Sequence, residues 1–447
     1  MIEELCVRMS ALPTKQEVHD DYETEDEPQM TFKDRTSNNN QGQLKDIFAK
    51  FDSSKPISTE VLRQAQFLCS KYLGGAWTRV QVKDFKLKAI TGGMSNLLFL
   101  VQLPDNHKTQ GAEPLSALLR IHCQADLDQL LSESVVFTLL SERNLGPRLL
   151  GVFPGGRFEQ YIPSRALQCQ EISQPKFARF IAPMLARVHT LDVPVTKDAE
   201  IMTFMRQWLD KFRQSAGGQK PIHIHCTQAK VDPSEYPATI TIDDLDRELD
   251  FVENFLKKSM SPVVFSHNDL QEGNILLFDG YEVKDDGRIW NEAGPSDVKE
   301  PLTLIDFEYC NYNYRGFDLG NHFCEYGFDY NCDEAPYYKI HQDKFDVVDE
   351  RKIFCEGYME EVYKMKDLGE NPHFPSDLIT GNREVDLAKL VEESILFMPI
   401  SNIFWTCWAL LNAEDAVIAF DYGSYGRDRL ALYYKQKKQL ESFLSKF

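Results

Sequence analysis

Several features are scarce in this chain of 447 residues, and each scarcity excludes something. Its ten cysteines lie scattered from Cys6 to Cys407, with no C-x-x-C pair and no Cys/His group at zinc spacing. That argues against a structural zinc site and fits reduced thiols in a cytosolic compartment. Basic residues are outnumbered: 49 Lys and Arg stand against 69 Asp and Glu, for a formal net charge of -20. Such an acid excess argues against nucleic acid or an anionic membrane as the main partner. No apolar run reaches the ~18 residues a membrane helix needs. The opening MIEELCVRMS lacks the apolar stretch of a secretory signal. The expectation is a cytoplasmic protein with no integral membrane segment. G-x-G-x-x-G and the Walker G-K-[ST] ending are missing, as is any repeat at solenoid period.

What is present fits a globular protein, with a hydrophobic fraction of 43% and a charged fraction of 26%. Residues 1–42 contain the acidic run EVHDDYETEDE and the polar stretch TSNNNQGQ, neither of which can bury enough apolar surface to order a chain. This segment is expected to be a disordered tail. The stretch ISTEVLRQAQFLCSKYLG predicts a helix with Ser58 as N-cap and Gly74 as stop. Beyond it the pattern over 57–162 reads strand, glycine turn, strand, strand, helix (126–144), strand, strand. After 163 long helical patterns dominate, broken by the short strands VVFSH, NILLF and LTLID. The segment 281–300 reads as an inserted loop. The expectation is an α+β chain with a small sheet-rich lobe (57–162) ahead of a larger, mostly helical lobe (163–447).

The densest polar stretch is SHNDLQEGNILL, residues 266 to 277. His267, Asp269 and Asn274 stand as H-x-D-x-x-x-x-N, the spacing of a kinase catalytic loop. Phosphoryl transfer from ATP needs a carboxylate near the attacking hydroxyl and hard oxygen ligands for Mg²⁺. Alone, Asp269 and Asn274 could simply shape a turn. Downstream, however, LTLIDFEY sets Asp306 at the end of an apolar strand, where kinases carry the second metal carboxylate. His267 is expected to brace the loop. Zinc is excluded there because no second ligand is near.

The phosphate side is weaker in signal. AITGGMSNLLFL puts Gly92 and Gly93 between two strands, where backbone N–H groups could approach phosphates or simply turn a hairpin. Arg120, in the strand after that hairpin, falls where kinases carry the lysine that grips the α/β-phosphates, with Glu133 as its natural partner. FEQYIP falls where a hinge between lobes should be.

VFSHNDLQEGNILL followed by LIDFEYCNYNYRGFDLGNHFCE resembles the signature of the choline/ethanolamine kinase family, whose wider group is similar in fold to protein kinases. TGGMSN, LLRIH, ERNLGPRLLGVF and EQYIPSR match that pattern in order, and the likeness runs from about residue 60 onward. It implies a two-lobed, protein-kinase-like fold, ATP as co-substrate, Mg²⁺ as cofactor and a homodimer. It implies Asp269 as the base facing the hydroxyl, and Asn274 and Asp306 as metal ligands with Glu308 near a second ion. Gln271 would lie by the phosphates, and Gly92, Gly93, Met94, Ser95 and Asn96 would cover them. Arg120 would grip them, Gln160 and Ile162 would line the adenine pocket, and Asp318 would brace the loop. The kinase Arg before the catalytic Asp and the A-P-E segment are missing, which favours a small-molecule acceptor.

The resemblance further implies a cage for a quaternary ammonium from Tyr309, Tyr330, Trp405, Trp408 and Tyr425, with the acid at Glu325. Trp405 and Trp408 share a helix face by spacing, and Tyr422 follows near Tyr425. A quaternary ammonium has no N–H to donate, so aromatic faces and distant carboxylates must hold it. Choline is therefore the expected acceptor, and ethanolamine the alternative. An inactive nucleotide-binding scaffold is disfavoured, because the catalytic and metal aspartates are both present. Where the family often has Glu-Trp this chain has Glu325-Tyr326, so a different pocket rim is expected.

Overall fold

A computed structural model describes residues 47, 48, 51, 55–90, 96–122, 127–369, 378–414 and 420–447. The segment 1–42 and the turn residues Gly92, Gly93, Met94 and Ser95 lie outside the described residues. Helix α1 (Thr59–Tyr72) begins where Ser58 accepts a hydrogen bond from the Val61 amide, and ends at Gly74 with φ 64. That is the N-cap and glycine stop expected from the sequence. Next come β1 (Lys86–Ile90), β2 (Asn96–Gln102), β3 (Ser116–His122), α2 (Leu127–Glu142), β4 (Leu149–Phe153) and β5 (Gly156–Gln160). The five strands form one antiparallel sheet in the order β1-β2-β3-β5-β4. Strand alternation divides its faces. Ala117, Leu119, Ile121 and Phe158 pack with Val61, Ala65 and Leu68 of α1. Arg120, Arg157 and Glu159 face the other way.

The chain then crosses to the helical part. A short strand, β6 (Ser164–Ala166), leads to α3 (Pro175–His189), α4 (Ile201–Arg213) and α5 (Ile242–Lys258). Then follow β7 (Val263–Ser266), β8 (Ile275–Phe278), β9 (Leu302–Leu304), β10 (Asn311–Tyr314), α6 (Arg315–Glu325), α7 (Val348–Leu368), α8 (Arg383–Asn412) and α9 (Tyr422–Leu444). β8 pairs with β6 and β9, and β7 pairs with β10, all antiparallel. These short ladders hold the polar loop between β7 and β8 beside the segment between β9 and β10. All 11 residues of α6 are buried. It lies against α8 so closely that a Cβ on Gly316 would fall 2.4 Å from the Phe397 ring, and one on Gly320 within 2.9 Å of backbone atoms of Phe397, Met398 and Ser394.

The α+β architecture with a sheet-rich part before a helical part agrees with the sequence reading. Two expectations need amending. The 281–300 stretch is not a plain loop: Glu282–Val283, Ile289–Asn291 and Gly294–Pro295 form a small three-stranded sheet. Arg179 donates to the Asp286 carbonyl and Lys176 pairs with Asp285 to hold it against α3. Also, α8 is long and apolar enough by composition to cross a membrane, but 78% of its most apolar window is buried inside the protein. Burial against α6 and α9 accounts for that apolarity.

Gly320→Ala should destabilise the fold by about 1–3 kcal/mol, the usual cost of overpacking. The added methyl would meet backbone, which cannot swing aside. Thermal melts of the purified variant check this; an unchanged midpoint would mean the α6–α8 contact is looser than described.

Candidate active site

The loop between β7 and β8 is suspended from α6. Asp318 is fully buried, and its Oδ2 accepts from the His267 amide at 2.7 Å while Oδ1 accepts from the Asn268 amide at 2.8 Å. His189 Nε2 lies 3.0 Å from the same carboxylate, and its Nδ1 lies 2.9 Å from the Tyr358 hydroxyl. Burial pushes the Asp318 carboxyl up, but the hydrogen bond and charge of His189 and the loop amides outweigh it and hold the group below its usual range. His267 is neutral-favouring, because burial lowers its pKa. Its Nε2 donates to the Ile305 carbonyl at 3.1 Å and its Nδ1 accepts from the Asp269 amide at 3.4 Å. With both ring nitrogens spent on backbone, His267 sits as a brace.

Asn268 has φ 66 and Asp306 φ 63, both in the left-handed region. The strained Asn268 is tied on every side. Its Nδ2 donates to the Tyr309 carbonyl at 2.8 Å and to Asn311 at 3.0 Å, and its Oδ1 accepts from Asn313 at 2.8 Å. Asp269 is partly exposed. Its Oδ2 accepts from Asn274 Nδ2 at 2.9 Å. Withdrawal from solvent, then the charges of Glu325, Asp306 and Glu308, raise its pKa well above the ordinary aspartate value. Gln271 turns its amide oxygen inward, accepting from the Gly273 amide at 2.7 Å to cap the turn at Glu272–Asn274.

Asn274 and Asp306 are brought side by side by the β8–β9 ladder, which continues through the Ile305 amide donating to the Asn274 carbonyl at 3.0 Å. Asp306 Oδ1 is buried without a hydrogen-bond partner, and Arg120 Nη1 stands 3.6 Å away. An orphaned carboxylate oxygen beside an amide oxygen, with Glu308 two residues on, is a hard-oxygen set. No cluster of three or more His, Cys, Asp or Glu at metal-binding geometry occurs among the described residues. Mg²⁺ needs no such cage, since it takes one or two carboxylates and completes its shell with phosphates and water. The residues present therefore fit that ion.

On the phosphate side one expectation is corrected. Arg120 does not pair with Glu133: its Nε donates to Glu159 Oε1 at 2.7 Å, while Glu133 takes Arg157 at 2.6 Å. The reason is register, since Arg157 lies directly across the ladder from Arg120 and stands between it and α2. Asn96 opens β2. Gln160 closes β5, its backbone amide held by the Arg148 carbonyl at 2.8 Å, and Ile162 follows in the crossing between the two parts of the chain.

The aromatic residues expected to act together do meet. Ring contacts run from Tyr309 to Trp405 (5.6 Å), Trp408 (5.3 Å), Tyr422 (5.3 Å), Phe420 (5.0 Å), Tyr425 (5.4 Å) and Tyr330 (6.2 Å). Trp408 Nε1 donates to the Tyr309 hydroxyl at 3.1 Å, and Trp405 Nε1 to Asn321 at 2.7 Å. Glu325 joins this belt, but not as a lone acid. Tyr330 donates to its Oε2 at 2.8 Å, and the fully buried Arg429 forms an ion pair with its Oε1. The Arg429 guanidinium also lies 3.5 Å over the Phe328 ring and donates to Tyr425. Sequence reading missed Arg429; the available signal was that an acid inside an aromatic cluster requires a cation, but Arg427 was an equal candidate. The expectation that Tyr326 alters the pocket rim is also corrected. Tyr326 is buried beside His322 and Phe323, in a different core from the belt.

A sheet-rich part ahead of a helical part, a suspended polar loop with paired acid and amide, and an arginine facing Asp306 fit a small-molecule kinase. The chain belongs to the choline/ethanolamine kinase family, whose model matches residues 87–434. It is similar to choline kinase A2 of Caenorhabditis elegans, 38% identical over 90% of this chain and 92% of that protein. It is also similar to the choline/ethanolamine kinase of Rattus norvegicus, 37% identical over 88% and 90% respectively. The fold matches a choline kinase from Cryptosporidium parvum at TM-score 0.61, with 22% identity over 85% of this chain and 96% of that one.

Asp318→Asn should cost about 2–3 kcal/mol, because an amide cannot accept from three donors at once. The depressed carboxyl contributes fully above its unfolded value of 3.8 and loses that contribution as pH falls through its folded value. The deficit of the variant should therefore be constant near neutrality and shrink in acid. Urea melts across pH check this; a deficit that grows in acid would contradict the bonding described.

Proposed function

We propose that this protein transfers the γ-phosphoryl group of Mg·ATP to the hydroxyl of choline, giving phosphocholine and ADP for phosphatidylcholine synthesis. The observation that carries the reading is the aromatic belt reaching from Tyr309 to Tyr330 beside Asp269, with its acid Glu325 already neutralised by Arg429. Such a lining offers ring faces and hydroxyls in place of a free carboxylate. That suits a methylated cation, which has no N–H to satisfy.

In this reading Asp269 accepts the choline hydroxyl proton as the alcohol oxygen bonds to the γ-phosphorus and the bond to the β–γ bridging oxygen breaks. Asn274 holds Asp269 Oδ2, leaving Oδ1 for the alcohol. Arg120 takes the phosphates. Asn274 and Asp306 would hold Mg²⁺, with Glu308 near a second ion, and the metal would spread the charge of the phosphates when bound. Gly92 to Asn96 cover the phosphates, Gln271 lies near them, and Gln160 and Ile162 line the adenine. Tyr309, Trp405, Trp408, Tyr425 and Tyr330 enclose the ammonium. Ethanolamine is the second reading, favoured by the Tyr hydroxyls of the belt and by the rat relative's name.

Asp269→Ala should lower kcat by at least ~10², the scale of lost general-base catalysis, with the melting temperature retained. Steady-state assays with Mg·ATP and choline measure it, and near-parental turnover would remove Asp269 from the role.

Trp408→Leu should raise KM for choline by about 5- to 30-fold, equivalent to ~1–2 kcal/mol of cation–π attraction, and KM for ethanolamine much less. Parallel kinetics on both alcohols decide this. Equal losses would sink the cage, and a lower KM for ethanolamine than for choline in the parent protein would reverse the substrate order.

A further inference from the structure

Arg120 and Arg157 are direct register partners across β3 and β5. Like charges placed directly opposite on one sheet face repel. The pair is tolerated because Glu159, two positions after Arg157 and so on the same face, lies between them. One oxygen, Glu159 Oε1, accepts from Arg120 Nε at 2.7 Å and from Arg157 Nε at 2.7 Å. Arg157 then reaches Glu133 of α2 through Nη1 at 2.6 Å, and its guanidinium lies 4.4 Å over the Phe137 ring of the same helix. All four charged side chains are buried. Their charges cancel in pairs, and no member can leave without stranding another.

The geometry has a direction. Because Glu159 takes Arg120 at Nε, the terminal nitrogens of Arg120 are turned away from the sheet, with Nη1 3.6 Å from Asp306. The aim of Arg120 is thus fixed by Glu159, whose shared oxygen is fixed by Arg157, which is fixed by Glu133. The strands themselves are pressed together: a Cβ on Gly156 would fall 2.3 Å from the Arg120 carbonyl oxygen. That leaves the backbone of Arg120 little slack, so its side-chain direction depends on the acid.

We infer that Arg157 is a positioning residue of the nucleotide site, relaying the placement of helix α2 through Glu159 to Arg120. The inference rests on the reading of Arg120 as the phosphate-gripping group. Its consequence is that α2 can tune nucleotide affinity without touching the nucleotide. A direct helix-glutamate to strand-cation pair would have one link; this chain has three.

The test compares the parent with Arg157→Met/Glu133→Leu, which removes one charge of each sign, and with Arg120→Met. In the paired variant, Kd for Mg·ADP by calorimetry and KM for ATP should each rise about tenfold, while KM for choline stays within about twofold. Arg157→Lys, which keeps a cation for Glu133, should recover part of the loss. ADP binding within about twofold of the parent, in a folded paired variant whose Arg120→Met counterpart binds weakly, overturns the relay alone. Parental ADP binding in Arg120→Met overturns the reading of Arg120 and the relay with it. Should the paired variant not fold, Arg157→Gln/Glu133→Gln removes the same two charges while keeping polar groups for their neighbours, and the same two outcomes apply to it.

Discussion

One buried carboxylate holds the active loop in place. Asp318 takes the amides of His267 and Asn268, and so fixes the backbone immediately before Asp269. Its helix carries further contacts at the spacing of a single face: Asn321, His322 and Glu325 follow at three, four and seven residues. Asn321 Nδ2 donates to the Asn268 carbonyl at 3.3 Å, while its oxygen accepts from Trp405 and Ser401. His322 Nδ1 lies 2.8 Å from the Leu270 carbonyl. Glu325 anchors Tyr330 and Arg429. One helix therefore sets the distance between the loop and the aromatic belt. Its two glycines exist so that it can lie against α8, which carries both Trp405 and Trp408.

Burying so much polarity is costly unless every group finds a partner. In the sheet-rich part the solution is an alternating chain of two arginines and two glutamates. In the belt it is Arg429 against Glu325, with the guanidinium stacked on Phe328. The exceptions are informative. Asp306 Oδ1 has no hydrogen bond although it is buried, and Asp269 is pushed up by its withdrawal from solvent and then by three neighbouring acids. Asp269, Asp306 and Glu308 thus lie close together with Arg120 beside Asp306, whereas the sheet and belt charges are matched in pairs.

Much of this was legible in the sequence. SHNDLQEGNILL and LTLID gave both short strands, the loop between them and the paired acids, because spacing and an apolar flank carry that information locally. Ser58 and Gly74 marked α1 for the same reason. The spacing of Trp405 and Trp408 put them on one face of a helix that proved real. What was not legible depends on contacts far apart in sequence. Helix α6 hides its period because Arg315, Asp318, Asn321, His322 and Glu325 are polar yet inside, so hydrophobic patterning passes over it. The partner of Arg120 turned on which strand lies beside β3, which no local pattern encodes. Tyr326 was expected to alter the rim because it stands where the family often has Trp, yet helical rotation of 100° per residue from Glu325 sends it into the other core.

The neutralised belt bears on the choice of alcohol. A primary ammonium sheds strong hydrogen bonds to water and must regain them from acceptors, preferably charged ones. Glu325 is committed to Arg429 and to Tyr330, so among the belt acceptors the hydroxyls remain. A trimethylated ammonium sheds weaker hydration and, in the proposed complex, would gain attraction from the ring faces of the belt instead. In that complex its charge would still feel Asp269, Asp306 and Glu308. On the proposed reading, Arg429 therefore contributes to selection without touching the alcohol: by occupying the one acid inside the belt, it withholds what a primary ammonium would need and leaves what a methylated one can use.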